Sequence, residues 1–165
     1  MRRLIALAMA FEVTACDPVH ADAIAALGGE RPGVPPGPLH RPGQPCLVCH
    51  DGAAGDPPAF SVAGSIFDTP STRIPVAGAD VHLTDSSGSL PRDFTTNAAG
   101  NFYVPADAWG PEFPLSVAVR SPTGADVFMR TLAYDGSCAT CHIDPRGADS
   151  PGHVCVVLDD GGTPL

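Results

Sequence analysis

Two pentapeptides, Cys46-Leu47-Val48-Cys49-His50 and Cys138-Ala139-Thr140-Cys141-His142, carry the most chemistry in this 165-residue chain. In each, thiols at i and i+3 are followed at once by an imidazole. That is the attachment pattern of a c-type haem. The chemistry sets the spacing: two sulfurs must reach two vinyl groups on one edge of a porphyrin, and the next side chain must fold beneath the ring to coordinate the iron. Cys46, Cys49, Cys138 and Cys141 are expected to tether two covalently attached haem c groups, with His50 and His142 as proximal iron ligands.

A sixth ligand separates an electron carrier from an enzyme with an open iron. His40 precedes the first motif on a proline-stiffened segment that can fold over a ring face. Met129, the one methionine outside the first fifteen residues, falls near the end of the strand leading into the second motif. His82 and His153 are alternatives, the first pointing away from the core on strand alternation and the second opening a final strand. His20 reads as a bystander. Met/His ligation would raise a haem's potential relative to bis-His ligation. Cys155 is the odd thiol, either a small buried apolar residue or a disulfide partner for Cys16 in an oxidising compartment.

Two readings compete without haem. The four motif cysteines could form a tetrathiolate zinc site, although zinc gives no reason for a histidine after each pair. Alternatively, two tight Cys-x-x-Cys disulfides could staple a structural or binding module of the cell surface. Of enzymes, only a small haem peroxidase or sensor stays in view, since no HExxH, Walker-type loop or Ser/His/Asp grouping is present.

The elements around the motifs are turn-rich. Glycine (18) and proline (19) are far above ordinary usage, so helix should be scarce. Arg2 and Arg3 followed by an apolar run read as an export signal over residues 1–15, too short to span a bilayer. Val13-Thr14-Ala15-Cys16 resembles a bacterial lipobox, with Cys16 lipidated; a plain secretory signal is the alternative. The protein is then exported and held in the periplasm or at the outer membrane by a lipid anchor. Asp17 resembles an inner-membrane retention signal. A net charge of −9 argues against a nucleic-acid partner and suits redox proteins with basic docking surfaces.

Asp17 to Leu27 has the makings of two helical turns, and residues 16–45 as a whole read as anchor and Pro/Gly-rich tether. A first haem-binding segment covers 46–59. From Phe60 short alternating runs take over: Phe60–Phe67, with Phe60, Val62 and Ile66 on one face, then Ala79–Thr84, Arg92–Thr96, Asn101–Val104, Leu115–Arg120 and Asp126–Leu132. Turn sequences such as Asp85-Ser86-Ser87-Gly88 and Asn97-Ala98-Ala99-Gly100 divide them. This is the pattern of a mainly β protein, a small antiparallel β-sandwich over 60–133. Residues 134–165 hold the second haem-binding segment and a seventh strand, His153 to Leu158.

Ser61-Val62-Ala63-Gly64, Pro75 to Asp85 and Thr96 to Val104 resemble the carboxypeptidase-regulatory-like domain, which implies a transthyretin-like sandwich over residues 60 to 132 and says little about function. The whole chain resembles exported dihaem cytochrome-like lipoproteins of high-GC bacteria. Six strands of alternating direction should return the chain to the end where it entered, gathering both motifs there.

Overall fold

The computed structural model describes residues 18–30, 32–53 and 57–157. The export signal, Cys16, Asp17 and Leu158 lie outside the described residues. Six strands carry the fold: β1 (Phe60–Ser65), β2 (Asp80–Thr84), β3 (Arg92–Thr95), β4 (Asn101–Pro105), β5 (Ser116–Arg120) and β6 (Asp126–Phe128). They form two antiparallel sheets, β1-β4 and β3-β2-β5-β6. The protein is a small β-sandwich. The chain crosses between the sheets on passing from β1 to β2, from β3 to β4 and from β4 to β5.

Alternation dictates the packing. In β2, Val81 and Leu83 are buried while Asp80, His82 and Thr84 are not, so one face enters the core and the other meets solvent. Ile66, Leu83, Leu115, Val81 and Val104 fill the centre between the sheets.

One strand departs from simple alternation. A bulge between Phe60 and Val62 breaks the β1-β4 register, and a bulge turns the preceding side chain to the other face. Val62 and Ile66 are buried as expected, but Phe60 stacks on Tyr103 (ring centroids 4.9 Å apart). Tyr103 alternates with buried Phe102 and Val104, so Phe60 and Tyr103 stand on the outer face of the small sheet.

The expected seventh strand is not formed. Through the described end of the chain, the segment makes one parallel bridge, Phe67 with Cys155, closed by Phe67 N–H to the Val154 carbonyl and Val156 N–H to the Phe67 carbonyl (2.9 and 3.1 Å). Upstream, Pro151 has no N–H to give, and the His153 N–H turns to the Asp144 carboxylate instead of a ladder.

Helix α1 (Pro18–Ala26) precedes the tether, and α2 (Leu47–His50) is one turn inside the first motif. The tether is docked, not extended away from the body. The Gly43 N–H donates to Ser65 Oγ (2.8 Å), and Asn101 Nδ2 donates to the His40 carbonyl (2.9 Å). No described helix is long and apolar enough to cross a membrane.

Candidate functional site

Each CxxCH pentapeptide folds into the same tight turn. The His50 N–H donates to the Cys46 carbonyl at 3.0 Å, and the His142 N–H to the Cys138 carbonyl at 2.9 Å. A turn closed from i+4 to i places the side chains at i, i+3 and i+4 on one side. Two sulfurs and an imidazole thus share a face in each motif.

The imidazoles are also held at the same atom. His50 Nδ1 donates to the Pro58 carbonyl and His142 Nδ1 to the Gly152 carbonyl, both at 2.9 Å. A carbonyl only accepts, so the proton of each neutral ring sits on Nδ1 and the lone pair on Nε2. Metal-ligating histidines are held by this kind of backing bond. Burial pushes the His142 pKa below its usual value against the pull of the Gly152 bond, and His153 adds to the push. The neutral ring is the form that binds metal.

Both motifs pack on β1. His50 lies against Phe60, with ring centroids 4.7 Å apart, on the outer face of the small sheet. The second motif arrives at the strand's free edge, where the Ala63 N–H donates to the Gly136 carbonyl (2.8 Å) and Ser137 bridges Ala63 in parallel. Two glycines permit this approach. A Cβ on Gly64 would lie 2.6 Å from Cys138 Sγ, and one on Gly136 would overlap the Ser61 carbonyl oxygen and lie 3.2 Å from Leu47 of the first motif.

The first cysteine of each motif is therefore enclosed. Burial pushes the Cys46 thiol up to about 11. Burial, and then the nearness of Cys46, push Cys138 up to about 12. Among the described residues no three of His, Cys, Asp or Glu converge as a metal group.

An apolar cavity of about 420 Å³ opens at the second motif. Cys138, Cys141 and His142 line it together with Met129, and Val62, Phe102 and Val117 supply its walls from both sheets. It lies between the sheets because the small one has two strands and the large one four. The donor set and the apolar walls fit a porphyrin tethered at Cys138 and Cys141. His142 also lines a second hollow of about 660 Å³, between the docked tether (Val34, Arg41, Gln44) and Arg73, Asp144 and His153.

The candidate sixth ligands separate clearly. His40 is brought to the first motif, its ring centroid 5.8 Å from that of His50 and the planes 17° apart. Met129 is brought to the second. His153 is engaged at both nitrogens, by Asp144 Oδ1 at Nδ1 and the Thr69 carbonyl at Nε2, each 2.8 Å away. His82 hydrogen-bonds Asp93 on the outer face of the large sheet, across the sandwich from the first motif. His20, read as a bystander, sits close to the first motif, its Nδ1 3.7 Å from Asp51 Oδ2.

Several residues of the site carry little sequence signal. Pro58 and Gly152 act through carbonyls that any residue has, and Gly136 through the Cβ it lacks. Gly64, isolated within a strand pattern, was the available sign of a close approach. Asn101, a buried amide at a strand start, holds the His40 carbonyl. No family model matches the chain, and no curated protein or solved structure matches it.

Proposed function

We propose that the protein is an exported, lipid-anchored dihaem c-type cytochrome that passes single electrons between redox partners. The observation that carries the reading is the shared treatment of His50 and His142: the same turn, and the same Nδ1 bond to a main-chain carbonyl, in two unrelated stretches of chain. The same backing bond at both motifs leaves Nε2 as the nitrogen with the lone pair, which is how iron-ligating imidazoles are held.

Haem, when bound, supplies the one-electron chemistry. The chain's own part is binding, orientation and polarity. Cys46, Cys49, Cys138 and Cys141 anchor; His50 and His142 coordinate; the apolar cavity walls set a low polarity at the second site. The acidic surface, with a net charge of −9, steers partners that dock through basic patches.

The test is production of the full chain, signal included, in a host that matures c-type cytochromes. Intact mass should exceed that of the lipidated polypeptide by two haem groups, and a haem-stained gel should find the band in membrane fractions. Colourless protein at polypeptide mass would overturn the proposal and return the zinc and disulfide readings to contention.

A further inference from the structure

We infer, resting on the dihaem reading above, that the two irons carry different sixth ligands, the imidazole of His40 at the first and the thioether of Met129 at the second, so that the haems differ in potential.

The first half stands on spacing. A metal–imidazole bond is about 2 Å long, so two imidazoles on opposite sides of one metal have ring centroids roughly 6 Å apart. The His40 and His50 rings stack with centroids 5.8 Å apart, close enough for one metal to join them once the His40 ring turns its Nε2 toward it. The spacing is held from outside the site. Asn101 Nδ2 donates to the His40 carbonyl, and Ser65 Oγ, which receives the Gly43 N–H, donates to Asn101 Oδ1 (2.7 Å).

Ligation through Nε2 leaves the His40 Nδ1 proton needing an acceptor. In this structure Nδ1 instead accepts from the Gly37 N–H at 3.3 Å, so ligation moves the ring proton from Nε2 to Nδ1 and releases that contact. The Glu30 carboxylate stands ready, with Oε1 at 3.9 Å from Nδ1 and Oε2 buried without a hydrogen-bond partner among the described residues. Arg41 Nε holds Oε1 at 3.0 Å. A carboxylate beside a ligating histidine is the kind of second partner that raises a ligand's basicity. Glu30 is thereby a positioning residue for His40.

The second half stands on the cavity. Met129 lines the same apolar space as Cys138, Cys141 and His142, and its N–H, bonded to the Val117 carbonyl at 3.0 Å, keeps it on the large sheet. The histidine that also reaches this cavity, His153, has both nitrogens committed. Thioether ligation raises potential relative to bis-His ligation, so the second haem should be the easier to reduce.

The experiment uses the full haem-loaded protein, read by redox titration, ferric spectra and carbon monoxide binding. The native protein should show two potentials, a thioether charge-transfer band and no carbon monoxide binding at equilibrium. Met129→Leu should abolish the band and leave the lower-potential haem unmoved. His40→Ala should open that haem to carbon monoxide, His40→Met should raise its potential, and Glu30→Gln should shift its potential alone. A single shared potential, a thiolate-type spectrum lost on Cys155→Ala, or loss of the low-potential haem's ligation in His20→Ala instead of His40→Ala would overturn the inference. Absence of covalent haem would instead overturn the dihaem reading itself, and intact mass distinguishes the two failures.

Discussion

At the scale of single residues, the parts of the site that bind are written in the sequence and the parts that hold them are not. Cys-x-x-Cys-His is a set of side chains, so spacing alone reveals it. Pro58, Gly152 and Gly136 work through the main chain, and only their place in space makes them matter. Gly64 is intermediate, and its role can be measured. An added methyl would meet Cys138 Sγ at 2.6 Å, its Cβ at 2.8 Å and Phe102 at 3.0 Å. Overpacking of that kind costs about 1–3 kcal/mol, while replacing glycine by alanine recovers roughly 0.4–1 kcal/mol from the unfolded chain. The clash should win. Gly64→Ala is expected to lose about 1–2 kcal/mol in urea unfolding, and, on the proposed dihaem reading, intact mass should show second-site haem diminished with the first retained. An unchanged midpoint with two full haems would mean that Cys138 does not seat against β1.

At the scale of elements, the alternation of apolar residues with turn sequences located all six strands, because alternation and turn chemistry are local properties. It failed where tertiary partners decide. The bulge that sends Phe60 to the outer face depends on Pro105 and Val104 across the strand pair. The segment around Cys155 has the apolar pattern of a strand, yet it meets the sheet at one bridge while His153 serves Asp144 and Thr69. The tether is the largest departure: prolines keep it from being helix, but they do not say what it lies on. Asn101 does, donating to the carbonyls of His40 (2.9 Å) and Pro38 (3.3 Å) while accepting from Ser65 Oγ. Asn101→Ala would leave the Ser65 hydroxyl and the His40 carbonyl without these partners. Losing such part-buried bonds costs about 1–3 kcal/mol. The expected result is destabilisation in that range, with faster proteolysis confined to the tether; cleavage spread evenly over the chain would place the loss elsewhere.

At the scale of the whole molecule, the sandwich is uneven: two strands face four, so the inner side of β5 and β6 needs cover from something other than the small sheet. Residues near Met129 and the second motif provide the rim of that cover and leave the apolar cavity within it. Loops around the body are pinned by carboxylates whose pKa values all lie below the usual range. For Asp68 the chief cause is the Thr72 hydroxyl, for Asp85 that of Ser87, and for Asp126 the Arg120 guanidinium. Burial works to raise Asp144, but hydrogen bonds from His153 and the charges of His153 and Arg73 outweigh it. A carboxylate held below its unfolded value of about 3.9 contributes stability that is complete above that value. The contribution is lost as pH falls through the lowered folded value, because the unfolded chain binds the proton first. Asp144 ties Arg73 and His153 beside the second motif, so its protonation loosens the segment carrying the Gly152 carbonyl that backs His142. Stability of the haem-loaded protein, measured by urea unfolding, should accordingly fall steeply below about pH 4, and Asp144→Asn should weaken that acid dependence while destabilising the protein at neutral pH. On the proposed dihaem reading, the spectrum of the second haem should change in the same titration before that of the first; loss of the first haem's spectrum ahead of the second would show that acid enters through the docked tether instead.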